Sequence, residues 1–207
     1  MENNSSKSRI TKYYFELIGD IVKDYTHSSN LIIQQNNCVS RNLHPYSFSW
    51  NIARKFKYAN PYSQRLSGPY KNLCDIIYRP KLGTVQIIVP PMGQHGPSFA
   101  CFYSQYRMGK PNTKYYITSP KTDSNYIFLS TYKDTYSHRL EYFKICLNNL
   151  LNILLTLPNI TSVIFPKYIG CGLAGGNWEL YEKCISNFSE QLNQYCPNID
   201  VYVIEKE

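Results

Sequence analysis

Phe165-Pro-Lys-Tyr-Ile-Gly-Cys-Gly-Leu-Ala-Gly-Gly-Asn-Trp178 joins the end of an apolar run, Ser162-Val-Ile-Phe165, to Trp178-Glu-Leu-Tyr-Glu-Lys-Cys-Ile185. The first segment reads as a buried strand, and the apolar residues of the second fall at helical spacing. Between them four glycines, Gly170, Gly172, Gly175 and Gly176, fall within seven residues, and Asn177 stands immediately before the helical pattern. Glycine lets the backbone approach a ligand closely and adopt positive φ, so that successive N–H groups can converge on an anion. The dipole of the following helix adds partial positive charge at the same point. A tight packing turn would need fewer glycines, so the expected role of this strand-loop-helix unit is phosphate binding.

Outward from this unit, strands are expected over residues 11–18, 31–36, 84–89, 98–103, 114–118, 161–166 and 201–205. Amphipathic helices are expected over 47–58, 137–157 and 177–195. The 59–82 stretch is broken by Pro61, Gly68, Pro69 and Pro80, and reads as a long connection with one helical turn over 73–77. Strands alternating with helices imply an α/β fold: a three-layer α/β/α sandwich with a mixed, mainly parallel sheet. Ligands in such sheets bind beyond the C-terminal ends of the strands. Asp20, Asn37 and the 170–177 loop all follow expected strand ends, so the topology can bring them to one mouth.

The 207 residues suit one domain over 10–207, with a polar 1–9 segment expected to be disordered. Charged residues are only 17% of the chain, yet the formal charge is +8, which favours a polyanionic or phosphorylated partner. Lys and Arg are scattered with no run of five, so direct nucleic-acid binding is possible but is not the favoured expectation. Seven cysteines, an odd number with no CxxC pair and several inside apolar runs, read as reduced thiols of an intracellular protein, with no disulfide framework and no metal site. The longest apolar stretch, residues 150–157, is too short to span a bilayer, so no membrane partner is expected.

The glycine loop also resembles the second phosphate loop of macrodomains, the ADP-ribose-binding modules, and especially the branch carrying "IGCGLAGGDW". That branch includes ADP-ribose-1″-phosphate phosphatases and, more distantly, the terminal ADP-ribose glycohydrolases. Two further segments match in order. Tyr13-Tyr-Phe-Glu-Leu-Ile-Gly-Asp20-Ile21 resembles the opening strand ending in "GDI", and Leu31-Ile-Ile-Gln-Gln-Asn-Asn37-Cys-Val39 the next strand with its terminal asparagine. The resemblance implies that Asp20 and Ile21 meet adenine, that Asn37 sits near the distal ribose, and that Gly170, Cys171, Gly172, Leu173, Ala174, Gly175, Gly176, Asn177 and Trp178 wrap the diphosphate. It gives Cys171 a packing role, in keeping with the lack of a neighbouring histidine base. No cofactor is implied.

The chain departs from that pattern in two places. Where macrodomains carry a glycine-rich first loop of the type "GVMGSGIA", residues 40–53 contain no glycine, and His44, Ser47 and Ser49 offer side-chain donors instead. Asn177 stands where the phosphatase branch has aspartate, and Ala174 near an aspartate of the glycohydrolases; asparagine cannot serve as a base at neutral pH. The resulting expectation is ADP-ribose or derivative binding, with hydrolysis of a conjugate at the distal ribose: a 1″-phosphate, an ester, or an ADP-ribosylated protein or nucleic acid. The alternative is a reader without turnover. Asn37 and Asn177 would position the distal ribose, with a water held between ribose and phosphate as the attacking group; His44 could move a proton, and Lys121, in a segment faintly similar to lysine-dependent ADP-ribosyl hydrolases, is a further candidate.

Overall fold

The computed structural model describes residues 14–68, 72–111, 134–157 and 159–206. Their strands are β1 (Phe15–Ile18), β2 (Asn30–Asn37), β3 (Val85–Ile88), β4 (Ser98–Gln105), β5 (Ser162–Pro166) and β6 (Asp200–Glu205). The helices are α1 (Ile21–Asp24), α2 (Phe48–Lys55), α3 (Tyr136–Leu154) and α4 (Trp178–Tyr195). Lys121 and the strand expected over 114–118 lie outside the described residues. The four-residue α1 adds to the expected helices, and the helical turn expected over 73–77 is a short 3-10 turn at Ile76–Tyr78.

The strands form one sheet in the order β1-β6-β5-β2-β4-β3. Every neighbouring pair is parallel except β3 with β4, which is antiparallel, as befits two strands joined by a short turn. Side chains alternate across this sheet and both faces are covered. Leu31, Ile33, Phe102, Val163 and Phe165 pack on one side with Phe143, Leu147 and Leu150 of α3 and Tyr181, Ile185 and Phe188 of α4. Ile32, Phe99 and Ile164 pack on the other side with Ile21 of α1 and Ile52 of α2. Burial on both faces is why the central strands read as continuous apolar runs rather than alternating ones. The arrangement is the expected three-layer α/β/α sandwich with a mixed, mainly parallel sheet.

The five parallel strands end on one side of the molecule, and the chain exits each into a segment of the same rim. A third apolar cluster, Cys38, Val39, Tyr62, Cys101, Tyr103 and Tyr106, holds Tyr62, Leu73 and Leu82 of the long connection against β4. Among the described residues no helix is long and apolar enough to cross a membrane.

Candidate functional site

A cleft of about 740 Å3 opens at the C-terminal ends of the parallel strands. That lies within the roughly 300–1,000 Å3 of small-molecule sites. Gly19 to Val22 form one end, Gln35 to Asn37 the floor, and Pro166 to Gly170 with Gly172 to Ala174 the glycine-loop wall. The opposite wall comes from His44, Tyr46 to Ser49, and Asn51, Arg54 and Lys55 of α2. Asp20, Asn37, His44 and the first half of the glycine loop therefore meet in one cavity, as their places after strand ends suggested.

The glycine loop is closed on itself. Gly176 N–H donates to Gly170 O at 2.9 Å, Gly175 N–H to Gly172 O at 3.0 Å and Cys171 N–H to Tyr168 O at 2.8 Å. Gly170 and Gly175 have φ of +74° and +71°, where a side chain would strain the backbone. At Gly176 the need is for space: a Cβ there would lie 2.7 Å from Gly170 O. These internal turns consume the N–H groups of Cys171, Gly175 and Gly176. Among the described residues the N–H groups of Gly170, Gly172, Leu173 and Ala174 have no acceptor in the protein, and all four residues line the cleft. Consecutive unpaired amides on a concave wall are an anion-binding arrangement.

Cys171, Gly175, Gly176, Asn177 and Trp178 do not line the cleft. In this structure they build the loop and the start of α4. Asn177 is the N-cap of α4, exposed, with Oδ1 accepting from Glu179 N–H at 2.9 Å. Trp178 packs edge-on to Tyr168 outside the loop, with centroids 5.5 Å apart. The Cys171 thiol donates to Ile169 O, and burial pushes its pKa up to about 11, so it is not a thiolate nucleophile at neutral pH.

Asp20 caps a helix and lines the cleft. Its Oδ1 accepts from Val22 N–H at 2.9 Å and caps α1, while Asp24 Oδ2 accepts from Asp20 N–H at 2.7 Å. It is also the only carboxylate among the described lining residues, which include the cations Arg54, Lys55, Lys167 and Lys206, and its Oδ2 lies 3.7 Å from Lys23 Nζ. Lys167 is drawn to Glu205 at 2.6 Å, and Lys55 donates to Val22 O at 2.6 Å.

Asn37 is buried on the floor. Its Oδ1 accepts from Ser40 N–H at 2.7 Å, so the side-chain amide nitrogen is the group it can offer a ligand. Its own N–H donates to the Tyr62 hydroxyl at 2.8 Å. Arg65, buried, donates to Asn37 O and Ser40 O and stacks on the Tyr62 ring at 3.9 Å. This clamp supplies the support that the glycine-free first loop cannot draw from backbone wrapping. Nothing in the spacing of Tyr62 and Arg65 marked them in advance.

A second unforeseen element is Arg139 of α3, its side chain only 2% exposed. It forks onto Asp134 with two contacts of 2.6 Å, and it donates to the carbonyls of Arg107, Gly109 and Ala174. One guanidinium thus joins the segment after β4 to the glycine loop. Among the described residues no cluster of three His, Cys, Asp or Glu side chains could hold a metal.

No family model and no curated protein matches the sequence. Solved structures do. A chain described as alphavirus P23pro-zbd aligns at 12% identity with a TM-score of 0.50, covering 92% of this chain and 21% of its own length. A macrodomain mutant from Oceanobacillus iheyensis with ADPR aligns at 12% identity and a TM-score of 0.44, over 92% of this chain and 83% of that one. The chain thus spans about a fifth of the alphavirus protein, and the likeness to it is one of fold.

Proposed function

We propose that this cleft binds ADP-ribose or a close derivative. The observation that carries the reading is the run of acceptor-free N–H groups at Gly172, Leu173 and Ala174 on the wall between Asp20 and Asn37. A diphosphate would lie along that wall, with the positive field of Arg54 and Lys55 opposite. Adenine would sit at the Gly19–Val22 end, its amino group donating to the Asp20 carboxylate. The distal ribose would reach the floor, where Asn37 offers its amide nitrogen. ADP-ribosylated protein or nucleic acid would present the same group.

Between turnover and recognition alone, the withdrawal of Asn177 from the cleft favours a binding module. Hydrolysis at the distal ribose would have to rest on Asn37 and His44 acting on a positioned water, since positioning by itself can supply several kcal/mol. Calorimetric titration with ADP-ribose is expected to give one site of roughly micromolar affinity. Asp20→Ala should weaken it about tenfold through the lost charged-acceptor bond, while Asn177→Asp leaves it unchanged. Chromatography of ADP-ribose-1″-phosphate incubated with the protein is expected to show no conversion; conversion abolished by Asn37→Ala would make the protein a hydrolase. An Asp20→Ala variant that binds like the parent would remove adenine from that end of the cleft.

A further inference from the structure

Four described residues other than glycine have positive φ: Tyr46, Asn72, Asn159 and Tyr168. Asparagine tolerates that region, whereas bulky side chains avoid it. The two tyrosines, at +66° and +64°, both line the cleft, on opposite walls. Tyr168 is held by its packing on Trp178. Tyr46 has less to hold it. Its ring is 85% exposed and touches Trp50 with centroids 5.7 Å apart and planes tilted by 49°.

Tyr46 is the third residue of the turn His44-Pro45-Tyr46-Ser47, closed by Ser47 N–H donating to His44 O at 3.2 Å. Proline second and positive φ third is the type II pattern, and its third position calls for glycine or asparagine. Ser47 then caps α2, its hydroxyl oxygen accepting from Trp50 N–H at 3.2 Å, so the strained residue is pinned between proline and helix. Strained backbone under an exposed ring is not offset by core packing, and strain of that kind points to function.

The direction of α2 places Tyr46 along the cleft. At the C-terminal end of the helix, Lys55 donates to Val22 O at 2.6 Å, beside Asp20. In its first turn, Ser49 Oγ accepts from the Asn36 amide at 3.3 Å, on the floor beside Asn37. Tyr46 precedes that turn, so it stands at the Asn37 end of the cleft and away from Asp20.

We propose that Tyr46 covers the distal ribose and selects for a sugar beyond the diphosphate. The ring packs on the C–H face of the ribose and shields it from water. A side chain thereby supplies the cover that a first loop without glycine cannot supply by wrapping its backbone. This rests on the ADP-ribose reading of the cleft and names the part of the ligand that the first loop recognises.

Calorimetric titration of the parent, Tyr46→Phe and Tyr46→Gly tests it, with ADP-ribose and with ADP, which lacks the second ribose. Tyr46→Gly should weaken ADP-ribose about tenfold and leave ADP unchanged, since only the sugar contact is lost. Tyr46→Phe keeps the ring and should match the parent with both ligands. Thermal melting of Tyr46→Gly should be no lower than that of the parent, because glycine accepts the positive φ, so the lost affinity is not a lost fold. Unchanged ADP-ribose affinity in Tyr46→Gly, or equal weakening of ADP and ADP-ribose, would overturn the role of Tyr46. Asp20→Ala would still weaken ADP-ribose in that case, leaving the reading of the cleft in place. A parent that binds neither ligand would bring down that reading and the role of Tyr46 with it.

Discussion

Arg139→Met is expected to destabilise the protein by about 3 kcal/mol, toward the cost of leaving a largely buried carboxylate without its partner. The arginine side chain is 2% exposed and that of Asp134 14%, so water can replace little of what is lost. The carbonyls of Arg107, Gly109 and Ala174 lose a donor at the same time. Arg139→Lys should recover only a minor part, because an ammonium cannot fork onto Asp134 and still reach three carbonyls. Arg139→Met with Asp134→Leu should recover more than Lys does, since the orphaned charge is gone. Urea unfolding of the three variants checks the order. A loss below about 1 kcal/mol for Arg139→Met would mean that the fork is a surface ion pair in solution. A domain of this size has about 5–15 kcal/mol in total, so the single variant should also be poor in yield. Ala174 O is one of the acceptors, and ADP-ribose affinity should fall with the fold.

Gly170→Ala is expected to cost about 3 kcal/mol, combining the left-handed backbone penalty with overpacking. A Cβ at this residue would lie 2.5 Å from the Tyr181 ring and 2.7 Å from Gln35 Oε1, at φ of +74°. Tyr181 sits in the core against Phe143, centroids 4.7 Å apart, so the ring cannot swing aside cheaply. Gly172→Ala is the control in the same loop: its Cβ would meet nothing within 4 Å and its φ is not positive. That variant should stay within about 1 kcal/mol of the parent. Equal urea midpoints for the two would show that the loop does not hold this conformation.

The difference between these two glycines shows what the sequence could and could not carry. Clustered glycines announce that a loop needs unusual backbone and close contact, and the strand before and helix after them fix where it sits. The layering was legible for the same reason: apolar runs in 31–33 and 163–165 mark strands buried on both faces. Asp20, Asn37 and the first half of the loop meet in the cleft because the parallel strands β1, β2 and β5 end at one rim. Which amides stay free was not legible, since that depends on turns made inside the loop. Asn177 was ambiguous because one residue type suits both a ligand contact and a helix cap, and the structure shows the cap. Arg139 reads locally as an ordinary helix-surface cation in Tyr136-Ser-His-Arg-Leu140. Its burial comes from carbonyls thirty or more positions away, which no local pattern encodes. The Arg65–Tyr62–Asn37 clamp was hidden likewise, although a glycine-free first loop does imply that something else must hold it.

The most direct test of the cleft is to follow the backbone amide resonances of Gly172, Leu173 and Ala174 by NMR during titration with ADP-ribose. Binding as proposed should move these three amide protons downfield together, as each gains a phosphate acceptor, with the Gly19–Val22 amides shifting in the same titration. Saturation with these three resonances unmoved would contradict phosphate binding by the glycine loop, whatever else on the protein responded.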